Sequence, residues 1–147
     1  MKLLFLEDDG FISRLTREAL EKDGYTVKHA KRTDVADKLL ENDSFDCIIT
    51  DLNMSDEWLD DHHIESCGCL LTGWVWLRYC VRSSDKTKDI PCIIYSGYID
   101  ELKKELSKKY ELHLINDFSI KLVEKGADNN QGISQLKKEL KEVLESR

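Results

Sequence analysis

An aspartate, Asp51, closes the apolar run Cys47-Ile48-Ile49-Thr50, and the acids Glu7-Asp8-Asp9 close the run Leu3-Leu4-Phe5-Leu6 in the same way. A carboxylate at the tip of a buried strand loses water and is costly unless something compensates it. Two strands ending so predict a shared acidic pocket at one edge of a sheet. Ser96, after Pro91-Cys92-Ile93-Ile94-Tyr95, adds a hydroxyl, and Lys121, after Asp117-Phe118-Ser119-Ile120, adds an ammonium. Clustered carboxylates repel one another unless a cation intervenes. Mg²⁺ suits such a pocket, because one or two carboxylates, waters and a phosphate oxygen hold it. Asp51 has the chemistry of a nucleophile that forms an aspartyl phosphate, and Lys121 that of a point charge for phosphate oxygens. Phosphoryl transfer asks chiefly for positioning and charge neutralisation, and this set offers both.

The elements that must position these groups are legible as an alternation. Short apolar runs at Leu3–Leu6, Tyr25–His29, Cys47–Thr50, Cys92–Tyr95 and roughly Leu114–Ile120 read as strands. Between and after them lie stretches with apolar residues at helical spacing. These are marked by Phe11, Leu15 and Leu20; by Val35, Ala36, Leu39 and Leu40; by Trp74, Leu77 and Val81; by Ile99, Leu102 and Leu106; and by Ile133, Leu136, Leu140, Val143 and Leu144. Five β-α units predict a doubly wound α/β fold, a parallel five-stranded sheet with helices on both faces. In such a sheet, ligands bind beyond the carboxyl ends of the strands, where Glu7, Asp8, Asp51, Ser96 and Lys121 are all expected.

A chain of 147 residues fits one domain, here 1–147. It is 41% hydrophobic and 35% charged, without a run approaching the ~20 apolar residues that span a bilayer. No signal peptide is visible. The reading is therefore a cytoplasmic protein without membrane insertion. The net charge of −7 argues against direct nucleic-acid binding, which needs a basic surface. Of the five cysteines, Cys47 and Cys92 fall inside apolar runs and read as small core residues.

Taken together, Leu4-Phe5-Leu6-Glu7-Asp8-Asp9, Cys47-Ile48-Ile49-Thr50-Asp51-Leu52-Asn53-Met54, Ile94-Tyr95-Ser96-Gly97 and Phe118-Ser119-Ile120-Lys121 resemble the receiver domain of bacterial two-component response regulators. The resemblance implies a flavodoxin-like strand order, 2-1-3-4-5, in a three-layer α/β/α sandwich. It makes Asp51 the phosphoacceptor. It assigns Mg²⁺, with Mn²⁺ as a substitute, to Glu7, Asp8, Asp51 and the backbone carbonyl of Asn53. Ser96 and Lys121 become phosphate-binding groups and Phe118 the switch aromatic. The implied donor is a sensor histidine kinase or a phosphotransfer protein. The implied output is a protein contact on the face made by the fourth helix, fifth strand and fifth helix. Leu122 and Ser55 stand where the family commonly carries proline. The chain ends about where the fifth helix does, which reads as a stand-alone regulator.

The segment between Asp51 and Gly73 is longer than the ~2–6 residues usual for a strand-to-helix connection, and 55–72 is read as an extended loop. It holds His62, His63, Cys67 and Cys69, which are zinc-ligand types at a spacing outside the common zinc signatures. Two other functions compete. A phosphorylation-independent interaction module would keep the fold without the chemistry. An aspartate-dependent phosphatase would need a general acid two residues after the nucleophile, and Asn53 cannot protonate a leaving group.

Overall fold

A computed structural model of the chain describes residues 1–54, 71–126 and 129–146. Among the described residues, five parallel strands form one sheet in the order β2-β1-β3-β4-β5: β1 Lys2–Leu6, β2 Thr26–Ala30, β3 Cys47–Thr50, β4 Cys92–Ser96 and β5 Ile120–Glu124. The helices are α1 Gly10–Lys22, α2 Thr33–Asn42, α3 Thr72–Trp76, α4 Ile99–Lys108 and α5 Asn129–Glu145. Residues Leu77–Val81 continue α3 as a π-helical turn, and a single helical turn, Leu114–Asp117, precedes β5. This is the doubly wound, three-layer α/β/α arrangement that the alternation predicts.

Strand alternation sorts the core into two layers. Leu4, Leu6, Ile48, Ile94 and Ile120 face α2, α3 and α4, where Ala36, Leu40, Trp74, Leu77, Leu102 and Leu106 cover them. Leu3, Phe5, Cys47, Ile49, Ile93, Tyr95 and Val123 face the other way, against Leu20 of α1 and Leu136, Leu140 and Leu144 of α5. The central strands β3 and β4 are buried along their whole length, while the edge strand β2 is partly exposed. That contrast explains why β3 and β4 read as unbroken apolar runs. Cys47 and Cys92 are buried in these two layers.

Two expectations need correcting. The fifth strand is not Leu114–Ile120. Leu114–Asp117 coils into the helical turn, with Ile115 buried, and Ser119 takes φ 54° before the chain extends over Ile120–Glu124. The register fixes this, with Cys92 opposite Ile120 and Ser96 opposite Glu124. An apolar cluster of this length satisfies a turn over the sheet edge as readily as a strand, so periodicity alone does not separate them. In α1, the inward stripe is Ser13, Thr16 and Leu20, while Phe11 lies 59% exposed. A helix that packs small hydroxyl side chains on the sheet hides its buried face from a hydrophobicity reading.

Candidate functional site

β1 and β3 are neighbours, with Leu6 opposite Thr50, so the residues that follow them emerge side by side. The chain reverses its direction of winding between these strands, since β1 is followed by β2 on one side and β3 lies on the other. That is where open α/β sheets bind their ligands. Glu7 and Asp51 both stand there, and both are almost wholly buried, at 2% and 8% exposure. Their backbones continue the sheet's bonding. The Glu7 N–H donates to the Ala30 carbonyl at 3.0 Å, and the Asp51 N–H to the Leu6 carbonyl at 3.0 Å.

The acidic triplet divides its labour. Asp9 is the N-cap of α1 and accepts from the N–H groups of Phe11 and Ile12, both at 3.0 Å. Glu7 turns inward, and its Oε1 accepts from the Asp9 N–H at 3.1 Å. Asp8, between them, is exposed at the rim.

The ammonium that meets the acids belongs to Lys125. Its Nζ lies 2.8 Å from Glu7 Oε2 and 3.0 Å from Asp51 Oδ2, with only 14% of the side chain exposed. Lys121, the residue expected there, sits opposite Ile93 near the start of β5 and is exposed, on the surface beside Ser119 and Leu122. The displacement follows from the strand boundary. Because β5 runs to Glu124, the residue at its carboxyl end is Lys125, whose N–H donates to the Ser96 carbonyl at 3.0 Å. Phe118 is displaced for the same reason. It precedes β5, at the end of the sheet opposite Asp51, and packs on Trp74 with ring centroids 6.2 Å apart. One signal for the right lysine was present in the sequence: Lys125-Gly126 follows Leu122-Val123, where an apolar strand gives way to a turn.

Ser96 ends β4 fully buried beside the Asp51 carboxylate, whose charged form it favours, and its oxygen accepts from the Tyr98 N–H at 3.1 Å. Asn53 lies half-buried two residues beyond Asp51. His62, His63, Cys67 and Cys69 lie outside the described residues.

Charge in this cluster is shared. Burial, then the hydrogen bond with Asp51 and its negative charge, push the Glu7 carboxyl up to about 8, against the opposing pull of Lys125. Burial also works against ionised Asp51, but the Lys125 charge and hydrogen bonds from Glu7, Ser96 and Lys125 overcome it and hold the carboxyl below its ordinary range. Burial opposes the Lys125 ammonium too, and the charges of Asp51 and Glu7 outweigh it, raising its pKa. At neutral pH the cluster is thus one ammonium, one carboxylate and one proton held between two acids.

That proton is the test of whether a divalent cation suits these residues. Glu7 keeps it because a single ammonium cannot compensate two buried carboxylates. A second positive charge would replace it, so the donor set fits a hard divalent ion with oxygen ligands.

The backbone around Asp51 is pinned on its far side by α3. The Asp51 Oδ1 accepts from the Leu52 N–H at 2.7 Å, and the Thr50 hydroxyl donates to the Asp51 carbonyl at 2.8 Å. The Gly73 N–H donates to the Leu52 carbonyl at 3.1 Å, and the Thr72 hydroxyl to the Met54 carbonyl at 2.7 Å. A Cβ on Gly73 would fall 1.8 Å from the Asp51 carbonyl oxygen, so only glycine permits this approach.

Residues 3–60 match the family described as the response regulator receiver domain, a span that includes Glu7, Asp8, Asp51 and Asn53. No curated protein sequence matches the chain. Solved structures share its fold at low identity. The chemotaxis response regulator CheY4 of Vibrio cholerae is 20% identical, over 93% of this chain and 96% of that one, with a TM-score of 0.64. The signal receiver domain of a signal transduction histidine kinase from Syntrophus aciditrophicus is 18% identical, over 99% and 90%, with a TM-score of 0.70. The phosphorylated cyanobacterial phytochrome response regulator RcpA is 19% identical, over 99% and 95%, with a TM-score of 0.69. The fold is that of a response regulator receiver domain. Within this receiver fold, the acidic half of the site falls in the family match, and Ser96 and Lys125 join it through the sheet.

Proposed function

We propose that residues 1–147 act as one receiver domain that accepts a phosphoryl group on Asp51. The donor is a phosphohistidine on a sensor histidine kinase or a phosphotransfer protein. The observation that carries this reading is the contact of Lys125 with both Asp51 and Glu7 at the topological switch point. It supplies a nucleophile, a charge for phosphoryl oxygens and a carboxylate for a metal in one place. One of the fold relatives is itself described as phosphorylated.

An Asp51 oxygen attacks phosphorus in line with the phosphohistidine nitrogen. The O–P bond forms as the N–P bond breaks, and the imidazole nitrogen leaves with the bonding pair. The Leu52 N–H holds the carboxylate's other oxygen during attack. Lys125 exchanges its contact with the carboxylate for one with a phosphoryl oxygen, and Ser96 offers its hydroxyl to another. Glu7, Asp8, Asp51 and the Asn53 carbonyl would hold Mg²⁺, or Mn²⁺ in its place. Bound there, the cation would neutralise charge on the phosphoryl oxygens.

The new phosphate adds charge beside β4 and β5, and the response is read by a partner protein. The receiving surface is α4, the outer edge of β5 and α5. There a groove of about 700 Å³ is lined by Lys103, Ile115, Lys121 and Leu122. The chain works in the cytoplasm by protein contact, not by turnover of a substrate. No helix among the described residues is long and apolar enough to cross a membrane.

The test is incubation with Mg²⁺ and acetyl phosphate. Intact mass should rise by one phosphoryl group in the native chain and stay unchanged in Asp51→Asn. No gain in the native chain, with donor and with a cognate kinase extract, would leave an interaction module that works without phosphorylation.

A further inference from the structure

Lys125 has a third partner besides the two acids. Its Nζ lies over the ring of Tyr95, 5.3 Å from the centroid. That is within the ~6 Å at which a ring face attracts an ammonium. Tyr95 is 3% exposed and belongs to the layer under α1 and α5, next to Ser96 on β4. Its hydroxyl points at the first turn of α5. A Cβ on Gly132 would lie 2.7 Å from that oxygen, 3.3 Å from the Gly126 nitrogen and 3.5 Å from the Lys125 Cα. So Gly132 lets α5 approach the Tyr95 hydroxyl and the segment carrying the lysine at once.

We infer that Tyr95 is a positioning residue for the phosphoryl site, and that its buried ring is the seat that holds Lys125 over Asp51 and Glu7. The inference rests on the phosphoacceptor reading above for its kinetic consequence, but not for its geometry.

The chemistry favours a ring here over a polar group. An ammonium has three N–H donors and no acceptor. A carboxylate or amide in Tyr95's place would compete with Glu7, Asp51 and an incoming phosphoryl oxygen for those donors. The ring attracts the charge without accepting a hydrogen bond of that kind. It therefore orients the lysine and leaves its donors to the oxygens. The hydroxyl is dispensable in this account, and the π face is not.

The full chain, labelled with ¹³C at lysine, decides it by NMR. The Lys125 Cε protons, assigned by their absence in Lys125→Arg, should be shifted upfield of the other lysines by the ring. Tyr95→Phe should keep that shift, and Tyr95→Met, which removes the ring and keeps most of the volume, should lose it. Labelling by acetyl phosphate with Mg²⁺ should stay within about twofold of native in Tyr95→Phe. It should fall about 5- to 30-fold in Tyr95→Met, the range set by a partly desolvated cation–π contact. An ordinary Lys125 shift in the native chain, or native labelling in a folded Tyr95→Met, would overturn the inference. Should Tyr95→Met fail to fold, the native shift alone decides. A native ring shift with no labelling of any variant would uphold the seat and sink the phosphoacceptor reading.

Discussion

The sharpest consequence of the shared proton concerns Glu7→Gln in the absence of divalent cations. Glu7 is buried, and its carboxyl rises from an ordinary 4.5 to about 8. In the unfolded chain it is ionised above about 4.5, whereas in the folded chain it keeps its proton to about 8. The folded state therefore binds one more proton between these limits, and stability falls as pH rises through them. The slope from this one group is about 1.4 kcal/mol per pH unit, and over the whole window it amounts to at most ~5 kcal/mol. Gln is uncharged, is isosteric with the protonated acid, and can still donate to Asp51. The variant should match the native chain near pH 5 and become progressively more stable than it from pH 5 to pH 8, with the difference levelling off above that. Urea unfolding of both proteins in EDTA, at unit steps from pH 5 to pH 9, measures this directly. Taking the difference cancels the titration of distant groups. A difference that stays flat with pH would refute the shared proton. A difference of the opposite sign, with Glu7→Gln losing stability as pH rises, would show that Glu7 is ionised and paired.

Other outcomes follow from the same geometry. Mg²⁺ must displace the Glu7 proton, so its apparent binding constant should rise about tenfold per pH unit below pH 8 and flatten above it, as titration by tryptophan fluorescence would read. Lys125→Ala leaves two buried acids without their cation and should cost about 3–5 kcal/mol in urea unfolding, besides lowering acetyl phosphate labelling. Lys121→Ala, at an exposed position, should stay within ~0.5 kcal/mol and label at the native rate. Gly73→Ala places a methyl 1.8 Å from the Asp51 carbonyl oxygen. It should destabilise by about 1–3 kcal/mol despite the better helix propensity of alanine, and a displacement near 1 Å at Asp51 should slow labelling by up to ~100-fold. Native labelling in Gly73→Ala would show that α3 does not fix the acceptor.

The sequence made the fold legible because its central strands are buried on both faces, so Leu3–Leu6, Cys47–Thr50 and Cys92–Tyr95 stand out as short apolar blocks. The acids at their ends were legible for the same reason, since Glu7 and Asp51 each bring a charge to the end of such a block. The fifth strand was harder. It is an edge strand with a mixed pattern, exposed at Lys121 and Glu124 and buried at Ile120 and Val123. The more apolar cluster just before it, at Leu114 and Ile115, drew the boundary toward the N-terminus. A strand end misplaced by four residues then exchanged one lysine for another, 121 for 125, and carried Phe118 into a role at the wrong edge of the sheet. Neither the Tyr95 contact nor the Gly73 approach leaves a local signature, because each joins segments distant in the chain.

The ties around α3 bear on how this fold accommodates so long a connection after its acceptor. The chain departs at Met54 and returns at Leu71, yet the Thr72 hydroxyl bonds the Met54 carbonyl at 2.7 Å and the Gly73 N–H bonds the Leu52 carbonyl at 3.1 Å. The two ends are therefore closed on each other by these two bonds. For a flexible loop, closure entropy grows only with the logarithm of length, about 0.6 kcal/mol for each doubling. Lengthening the connection between such fixed ends costs little and leaves Asp51 where the sheet and Gly73 hold it. Thr72→Val, by contrast, deletes one buried closure bond while keeping the shape. It should cost about 1–3 kcal/mol in urea unfolding, because it leaves the Met54 carbonyl without that donor.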